Sequence, residues 1–427
     1  MLTNTSISLE KIRATLKTSM FSNFVNLGSI QVSNAIIMML LYPLLAQKVG
    51  LQAFGHAMVA NASVGLISII VNFGTSQSGV KEIATHKDNN EELSKIFFST
   101  LLLRSLLFLL LTAALAVYYS AGFHINLYFL FAIPLVLAEI LNPLFIYLGK
   151  ESLSLYNASN VLAKLFIIIL VYVLIRGFEE APWINFILGS VHFVVYLFLL
   201  VRISIISHLR FRLHSWAAFT DMIKNNFYLV GNNLSVQLQQ SLMLLILAKW
   251  GNAAWVGPYS LCDKITWSGR LLIISVCNSV YPKAASIFQS DPELFKLFKK
   301  KIRKMLFLVF TSFSVFLMVF ASPIVHLIAG HPDQNATFLL RIMALLQVIA
   351  AINSFNVIEL LIRGSNLYIF RIAIILFSIA LILALGIALS KNLFLLGTYA
   401  LIVEFSALLM YEYVIYKDKS QNSRVNG

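Results

Sequence analysis

The sequence is dominated by apolar stretches of about 20 residues, the length that an α-helix needs to cross the hydrocarbon core of a bilayer. Hydrophobic residues make up 59% of the 427 residues and charged residues only 12%, whereas roughly a quarter of the residues in a soluble domain are charged. The sequence therefore predicts an all-α polytopic membrane protein.

Twelve stretches are interpreted as transmembrane helices. The predicted spans cover residues 21–46, 53–74, 96–119, 127–148, 158–175, 183–201, 227–248, 254–281, 305–328, 336–362, 367–389 and 393–416. Loops on the side opposite the termini are about ten residues or shorter, which is typical of tightly connected helices. No extramembrane domain fits between them.

Basic residues divide unequally between the two sides. The even-numbered connections with the adjoining span ends and both termini carry 23 Lys and Arg, whereas the odd-numbered connections carry four. Because basic loops remain in the cytoplasm, both termini are predicted to be cytoplasmic. This topology accounts for most of the net charge of +14, so no nucleic-acid partner is expected. The basic block at 295–304 is interpreted as an anchor near anionic lipid.

The chain also repeats itself. NFVNLG at residues 23–28 matches NFYLVG at 226–231, an offset of 203 residues, and each is followed by a span and a glycine-containing loop. The repeat predicts two parallel six-helix bundles related by an axis along the membrane normal. The expected segments are an amphipathic surface helix, a first bundle, a cytoplasmic linker, a second bundle and a cytoplasmic tail, over residues 1–20, 21–203, 204–226, 227–416 and 417–427.

The eighth predicted span carries Asp263, Lys264 and Arg270. A charge near the bilayer centre costs at least about 2.5–3.5 kcal/mol, so each needs a partner or a wet cavity. Tyr259, Asp263, Trp267 and Arg270 fall on one helix face. Either this face is the wall of a polar cavity, or an internal ion pair, for example between Arg270 and Glu359, only fixes the packing.

Other polar residues lie in apolar spans. Asp263, Glu139, Glu359 and Glu404 are candidate proton or sodium sites, with Asp263 and Glu359 favoured by depth. Arg104, Lys164, Arg341 and Glu404 can alternatively reach the interface by snorkelling. A polar set either joins helices by hydrogen bonds or binds sugar hydroxyls in a cavity; it comprises Asn34, Asn233, Gln237, Gln240, Tyr259 and Trp267.

Enzyme motifs are missing from the sequence. It contains no GxxxxGK[ST], HExxH, CxxC or GxSxG pattern, each of which marks a particular catalytic or metal site. Cys262 and Cys277 share one predicted helix about 22 Å apart, too far for a disulfide. We therefore expect a protein that is not an enzyme and needs no cofactor or metal.

Three stretches together carry a family resemblance. They are LYPLLAQKVGLQAFG at 41–55, VNFGTSQSGVKEIATHKDNNEELSKIF at 71–97 and ILAKWGNAAWVGPYSLCDKITWSGRLLIISVCNSVYPKAA at 246–285. With these the chain resembles the Wzx-type O-antigen repeat-unit flippases of the multidrug/oligosaccharidyl-lipid/polysaccharide exporter superfamily. Lys81 stands where that family commonly has an arginine.

The resemblance implies two six-helix bundles in a V shape around a central cationic cavity, working by alternating access. It implies transport of undecaprenyl-diphosphate-linked O-antigen repeat units from the cytoplasmic to the periplasmic leaflet of the bacterial inner membrane, coupled to protons or sodium. A polysaccharide polymerase and a chain-length regulator are the expected protein partners. A diphosphate needs fixed cations, so Arg270 is the expected ligand, supported by Lys264.

Two alternatives to flipping remain open at this point. One is a drug or small-cation antiporter of the same superfamily, whose site would favour acidic residues at its base. The other is a membrane-embedded polysaccharide polymerase or ligase, for which a large periplasmic loop would be expected.

Overall fold

The computed structural model describes residues 39–87, 89–363 and 365–425, and within these ranges helices are the only regular secondary structure. The helices of the first part are α1 (residues 39–72), α2 (Thr75–Thr85), α3 (Asn90–Ser120), α4 (Leu127–Leu130), α5 (Ile133–Ile140), α6 (Leu144–Gly149), α7 (Leu153–Leu174) and α8 (Trp183–Ile206). The predicted surface helix at 1–20 and Asn34 lie outside the described residues.

The second part starts at α9. Its helices are α9 (Trp216–Trp250), α10 (Ala253–Ser290), α11 (Pro292–Val319), α12 (Ala321–Ala329), α13 (Gln334–Met343), α14 (Leu346–Ile362), α15 (Asn366–Ser390) and α16 (Leu393–Val425). Helix α9 therefore begins inside the segment predicted as a linker, and α16 continues through most of the segment predicted as a tail.

The all-α polytopic class is confirmed. In the described ranges, nine helical stretches are long and apolar enough to cross a membrane. The seventh and eighth predicted spans lie within α9 and α10, which are 35 and 38 residues long. The first predicted span begins outside the described residues.

Several predicted spans are broken helices rather than continuous ones. The fourth span consists of α4, α5 and α6, and the ninth is divided between α11 and α12. A proline ring clashes with the carbonyl four residues earlier and lacks an N–H donor. Pro134, Pro143 and Pro323 lie three or four residues beyond the ends of α4, α5 and α11, so these prolines explain three of the breaks.

Left-handed residues mark the turns near the start of the chain. Gly50 has φ 78° and Gly74 has φ 70°. A left-handed residue departs from right-handed helical geometry, so Gly50 is a local irregularity inside α1, between the first and second predicted spans. A Cβ added at Gly74 would lie 2.8 Å from Cβ of Leu229, so this turn also requires glycine in order to approach α9.

Most helix packing stays within two groups. Helix α5 packs on α8, α2 on α6 and α7 on α8, while α9 packs on α15 and α14 packs on α10, α11 and α16. Contacts between the groups include α2 with α9 and α1 with α10. The boundaries of the two bundles and their relation by rotation stay predictions.

Gly55 of α1 and Gly257 of α10 bring two backbones into direct contact. A Cβ on Gly55 would lie 2.7 Å from the backbone nitrogen of Gly257, and one on Gly257 would lie 2.1 Å from the carbonyl oxygen of Leu51. Both distances are too short for any side chain. The contact therefore needs glycine on both helices, close to the predicted outer ends of the second and eighth spans.

Candidate functional site

One face of α10 lines a cavity of about 180 Å³ that is bordered by α9, α10, α14 and α16. The wall contributed by α10 contains the four residues that the sequence places on one face, and Thr266 as well: Tyr259, Asp263, Thr266, Trp267 and Arg270. We call this space the arginine cavity. The predicted face is thus the wall of a cavity.

Arg270 is also part of an ion pair. Its Nη1 contacts Oε1 of Glu404 on α16, and their side chains are 33% and 12% exposed. The other carboxylate oxygen of Glu404 accepts a hydrogen bond of 2.6 Å from Nδ2 of Asn353. The Trp267 ring lies 6.0 Å from the guanidinium carbon. The carboxylate partner of Arg270 is therefore Glu404 and not Glu359, and the cavity and the ion pair coexist.

Asp263 faces the same cavity with a different environment. Its side chain is 30% exposed, and Nζ of Lys264 lies 3.8 Å from its carboxylate. That distance permits electrostatic attraction but exceeds a hydrogen bond. Gln239 and Gln240 of α9 and Tyr399 of α16 complete the polar lining.

Lys264 does not join Arg270. It lies on another side of α10 together with Leu261, Ile265 and Ser268, and lines a separate, mainly apolar cavity between α1, α10, α11 and α12. Six residues separate the two cations, which is about 9 Å along the helix and about 240° around it. Lys264 and Arg270 therefore line different cavities in this structure, and the diphosphate-binding role expected of each stays a prediction.

A second polar cavity of about 450 Å³ lies between α1, α2, α5, α6 and α9. We call it the amide cavity, because its polar lining consists mostly of amide and hydroxyl groups: Ser68, Asn72, Ser76, Gln77, Asn142, Asn233, Gln237 and Gln240, with the carboxylate of Glu139. The predicted residues Asn233, Gln237 and Gln240 all lie in this wall. Gln240 lines the arginine cavity too, so the two cavities adjoin.

Hydrogen bonds organise the amide cavity. Glu139 accepts from Nδ2 of Asn72 and, at 3.1 Å, from Nδ2 of Asn142. Gln77 and Asn233 exchange hydrogen bonds of 3.3 and 3.4 Å between α2 and α9. The cavity wall therefore contains a carboxylate held by neutral donors and an amide pair that joins the two groups of helices.

Arg104 packs behind this wall and is fully buried. Its side chain therefore does not reach the membrane interface by snorkelling. Its Nε donates to Oγ1 of Thr75 at 2.8 Å, and its Nη1 donates to three carbonyl oxygens around the break between α5 and α6. A broken helix leaves carbonyl groups without intrahelical partners. Arg104 satisfies these groups and fixes the segment that carries Glu139.

Glu359 occupies a different setting from the other predicted coupling carboxylates. It is fully buried, lies three residues before the end of α14, and forms ion pairs with Lys299 and, at 2.8 Å, with Arg363. It lines neither polar cavity, whereas Asp263, Glu139 and Glu404 each line one.

Several contributors to the two polar cavities were not predicted from the sequence, among them Asn353 and Tyr399. Asn353 holds the carboxylate of Glu404, and Tyr399 lines the arginine cavity. Asn353 is a polar residue within an apolar predicted span, and the same kind of signal identified the charged residues. Tyr399 gives no comparable signal, because tyrosine is common in transmembrane helices.

The chain matches one known family and a curated relative over most of its length. The profile of the family described as "Polysaccharide biosynthesis protein" matches residues 20–288, which is more than half of the chain. The chain belongs to this family. A relative from Escherichia coli (strain K12), named "Putative O-antigen transporter", is 22% identical over 347 residues, covering 80% of this chain and 83% of that protein. The resemblance noted in the sequence is thereby confirmed.

Solved structures show the same fold. The lipid II flippase MurJ in an inward closed conformation superposes with a TM-score of 0.71 at 16% identity, covering 91% of this chain and 87% of that one. An inward-facing multidrug resistance MATE transporter of the MOP superfamily gives a TM-score of 0.69 at 15% identity, covering 93% and 95%. This family member therefore has the fold shared by a lipid flippase and a multidrug transporter.

Proposed function

We propose that this protein is a flippase that moves a diphosphate-linked oligosaccharide lipid from the cytoplasmic to the periplasmic leaflet of a bacterial inner membrane. The observation that carries the proposal is the arginine cavity, a polar space within a bundle of transmembrane helices that contains a permanently charged guanidinium. The neighbouring amide cavity supplies groups suited to sugars. The O-antigen transporter named among the relatives and the MurJ fold support the same substrate class.

In this proposal the diphosphate binds Arg270 by displacing the carboxylate of Glu404. Arginine stays charged at any working pH and presents a planar fork of donors that matches phosphate oxygens. Glu404 contacts one nitrogen, Nη1, of this fork in the structure. A diphosphate carries more negative charge than one carboxylate and can displace it. Binding of the coupling ion, a proton or sodium, at the Glu404 carboxylate would release Arg270, which links the substrate to an ion gradient.

The glycan occupies the amide cavity. Asn and Gln side chains both donate and accept hydrogen bonds, so they can follow the hydroxyl groups of different sugars. Gln240 belongs to both cavities, and Tyr259 and Trp267 extend the wall beside Arg270. A headgroup with its diphosphate at Arg270 would therefore place its first sugars near Gln240.

The experiment compares surface glycan and membrane protein level in a strain that lacks the native gene. Arg270→Gln should abolish export, and Arg270→Lys should retain part of it, because lysine keeps the charge but loses the paired geometry. Arg341→Gln is the matched control, since Arg341 is an exposed arginine on α13. Normal export by a well-expressed Arg270→Gln protein would refute the proposed site.

Drug or small-cation antiport is the second candidate. It is favoured by the MATE fold and by three carboxylates that face cavities, Asp263, Glu139 and Glu404. The same deletion strain distinguishes the two: antiport predicts greater sensitivity to cationic drugs with normal surface glycan. A polymerase or ligase fits less well, because the predicted outer connections between described helices are short, at residues 121–126, 175–182, 251–252, 330–333 and 391–392.

A further inference from the structure

A third cavity, of about 520 Å³, differs in chemistry from the two polar ones. It lies between α1, α10, α11 and α12, and apolar side chains such as Ile265, Phe313 and Ile324 form most of its wall. Leu40, Phe316 and Leu327 at its margin are 56%, 50% and 71% exposed. In a membrane these exposed margins face lipid. The cavity is therefore an apolar groove that is open to hydrocarbon chains.

One cation projects into this groove. The side chain of Lys264 is 19% exposed, and its Nζ lies 3.8 Å from Asp263 and 5.8 Å from the centre of the Tyr42 ring. Neither contact is a hydrogen bond, and the ammonium makes none within the described part of the chain. An ammonium has three donors. Lys264 therefore offers charge and hydrogen bonds to an anion beside an apolar wall.

The depth of Lys264 restricts which anion this can be. Lys264 comes ten residues after the predicted start of the eighth span, about 15 Å along α10, and the hydrocarbon core is about 30 Å thick. The ammonium therefore lies near the bilayer centre. Phospholipid headgroups stay at the interface, so a phosphate at this depth belongs to a lipid whose headgroup crosses the membrane.

We propose that this groove binds the hydrocarbon chain of the transported lipid, and that Lys264 contacts its diphosphate at a second position distinct from Arg270. The inference rests on the proposed flippase function. Lys264 lies about 9 Å from Arg270 along α10, on the outer side in the predicted topology. The diphosphate then meets Arg270 first and Lys264 later, while its chain remains in the groove.

Photocrosslinking in cells tests the groove directly. Benzoylphenylalanine replaces Phe316 in the groove or, as a matched control, Phe405 on α16. Both residues are near the middle of a predicted span, and they are 50% and 51% exposed. Mass spectrometry identifies the lipid attached to each. We expect polyprenyl-phosphate adducts at position 316 to exceed those at 405 at least about fivefold, and we expect 405 to give phospholipid.

Substitution of the lysine tests its role in the same assay. Lys264→Gln should lower the polyprenyl-phosphate adduct at position 316 by about tenfold, as expected for one charged hydrogen-bonding contact. Lys249→Gln should leave it unchanged, since Lys249 lies over the Trp250 ring at the end of α9. Equal phospholipid adducts at 316 and 405, or an adduct insensitive to Lys264→Gln, would overturn the inference.

The two proposals fail in different ways. If no polyprenyl-phosphate adduct forms at position 316 but Arg270→Gln abolishes export, the flippase proposal stands and only the groove proposal fails. If a polyprenyl-phosphate adduct forms at position 316 but deletion of the gene leaves surface glycan normal, the flippase proposal fails. The groove then binds this lipid for another purpose.

Discussion

Arg270 and Glu404 form an ion pair across the arginine cavity, although they are on α10 and α16, and Asn353 of α14 donates to the same carboxylate. Three helices therefore meet at one charged group. Removal of one partner leaves the other charge uncompensated within the helix bundle, which destabilises a protein beyond the loss of the contact itself.

Function and folding at this pair can be separated by a double substitution. Arg270→Gln should lower stability by about 1–3 kcal/mol, because Glu404 loses its charged partner. Adding Glu404→Gln should recover most of that stability, since no charge remains uncompensated. Export should stay absent in both. Thermal unfolding of the purified variants, measured beside surface glycan, checks this; export restored by the double substitution would assign Arg270 a packing role only.

The contact between Gly55 and Gly257 predicts a conformational effect. Gly257→Ala places a Cβ 2.1 Å from the Leu51 carbonyl oxygen, so α1 and α10 must separate. We expect greater reaction of a cysteine at position 240 with a membrane-impermeant reagent added from the periplasm. The background is low because Cys262 and Cys277 are both buried.

Gly231→Ala is the control for the glycine substitution, because no atom lies within 4 Å of the added Cβ. It should leave the accessibility of position 240 unchanged, and it should stabilise α9 slightly, since alanine favours helix over glycine by up to about 1 kcal/mol. Equal accessibility in Gly257→Ala and Gly231→Ala would show that the glycine contact does not close the outer side.

Arg104 should be essential for stable protein. Arg104→Met removes the donors that satisfy the carbonyl groups at the break between α5 and α6, and buried unsatisfied carbonyls cost about 1–3 kcal/mol each. Membrane protein level should fall sharply, whereas Arg341→Met should have little effect because Arg341 is exposed. A normal level and thermal stability of Arg104→Met would contradict the supporting role.

Glu359 should act in folding more than in coupling. Its carboxylate is fully buried between Lys299 and Arg363, so Glu359→Gln should destabilise the protein by about 3–5 kcal/mol. The protein that does fold should retain transport that depends on the ion gradient. Substituting Glu139, Asp263 and Glu404 by their amides should abolish that dependence. A stable Glu359→Gln protein whose transport no longer depends on the ion gradient would instead assign coupling to Glu359.

The sequence predicts the fold class well, because each span must satisfy its own backbone hydrogen bonds and be apolar over the thickness of the bilayer, independently of its neighbours. Apolar length therefore reveals helices one at a time. The broken fourth and ninth spans were also predictable in principle, since Pro134, Pro143 and Pro323 lie where the breaks occur. The break between α13 and α14 contains no proline and has no comparable sequence signal.

The candidate site was only partly predictable. Helical spacing placed Tyr259, Asp263, Trp267 and Arg270 on one face, and the same arithmetic places Lys264 on another. The pairing of Arg270 with Glu404 depends on how α16 packs against α10, and that relation between distant segments cannot be read from a single sequence.

Leaflet distribution of the lipid-linked oligosaccharide is the most direct test of the central claim. Spheroplasts that produce the oligosaccharide lipid are probed with a membrane-impermeant sugar-binding protein, with or without this transporter. We predict outer-leaflet glycan lipid in cells with the wild-type chain, and cytoplasmic-leaflet accumulation in cells with no transporter or with Arg270→Gln at equal protein level. Equal outer-leaflet exposure in all three would contradict the account.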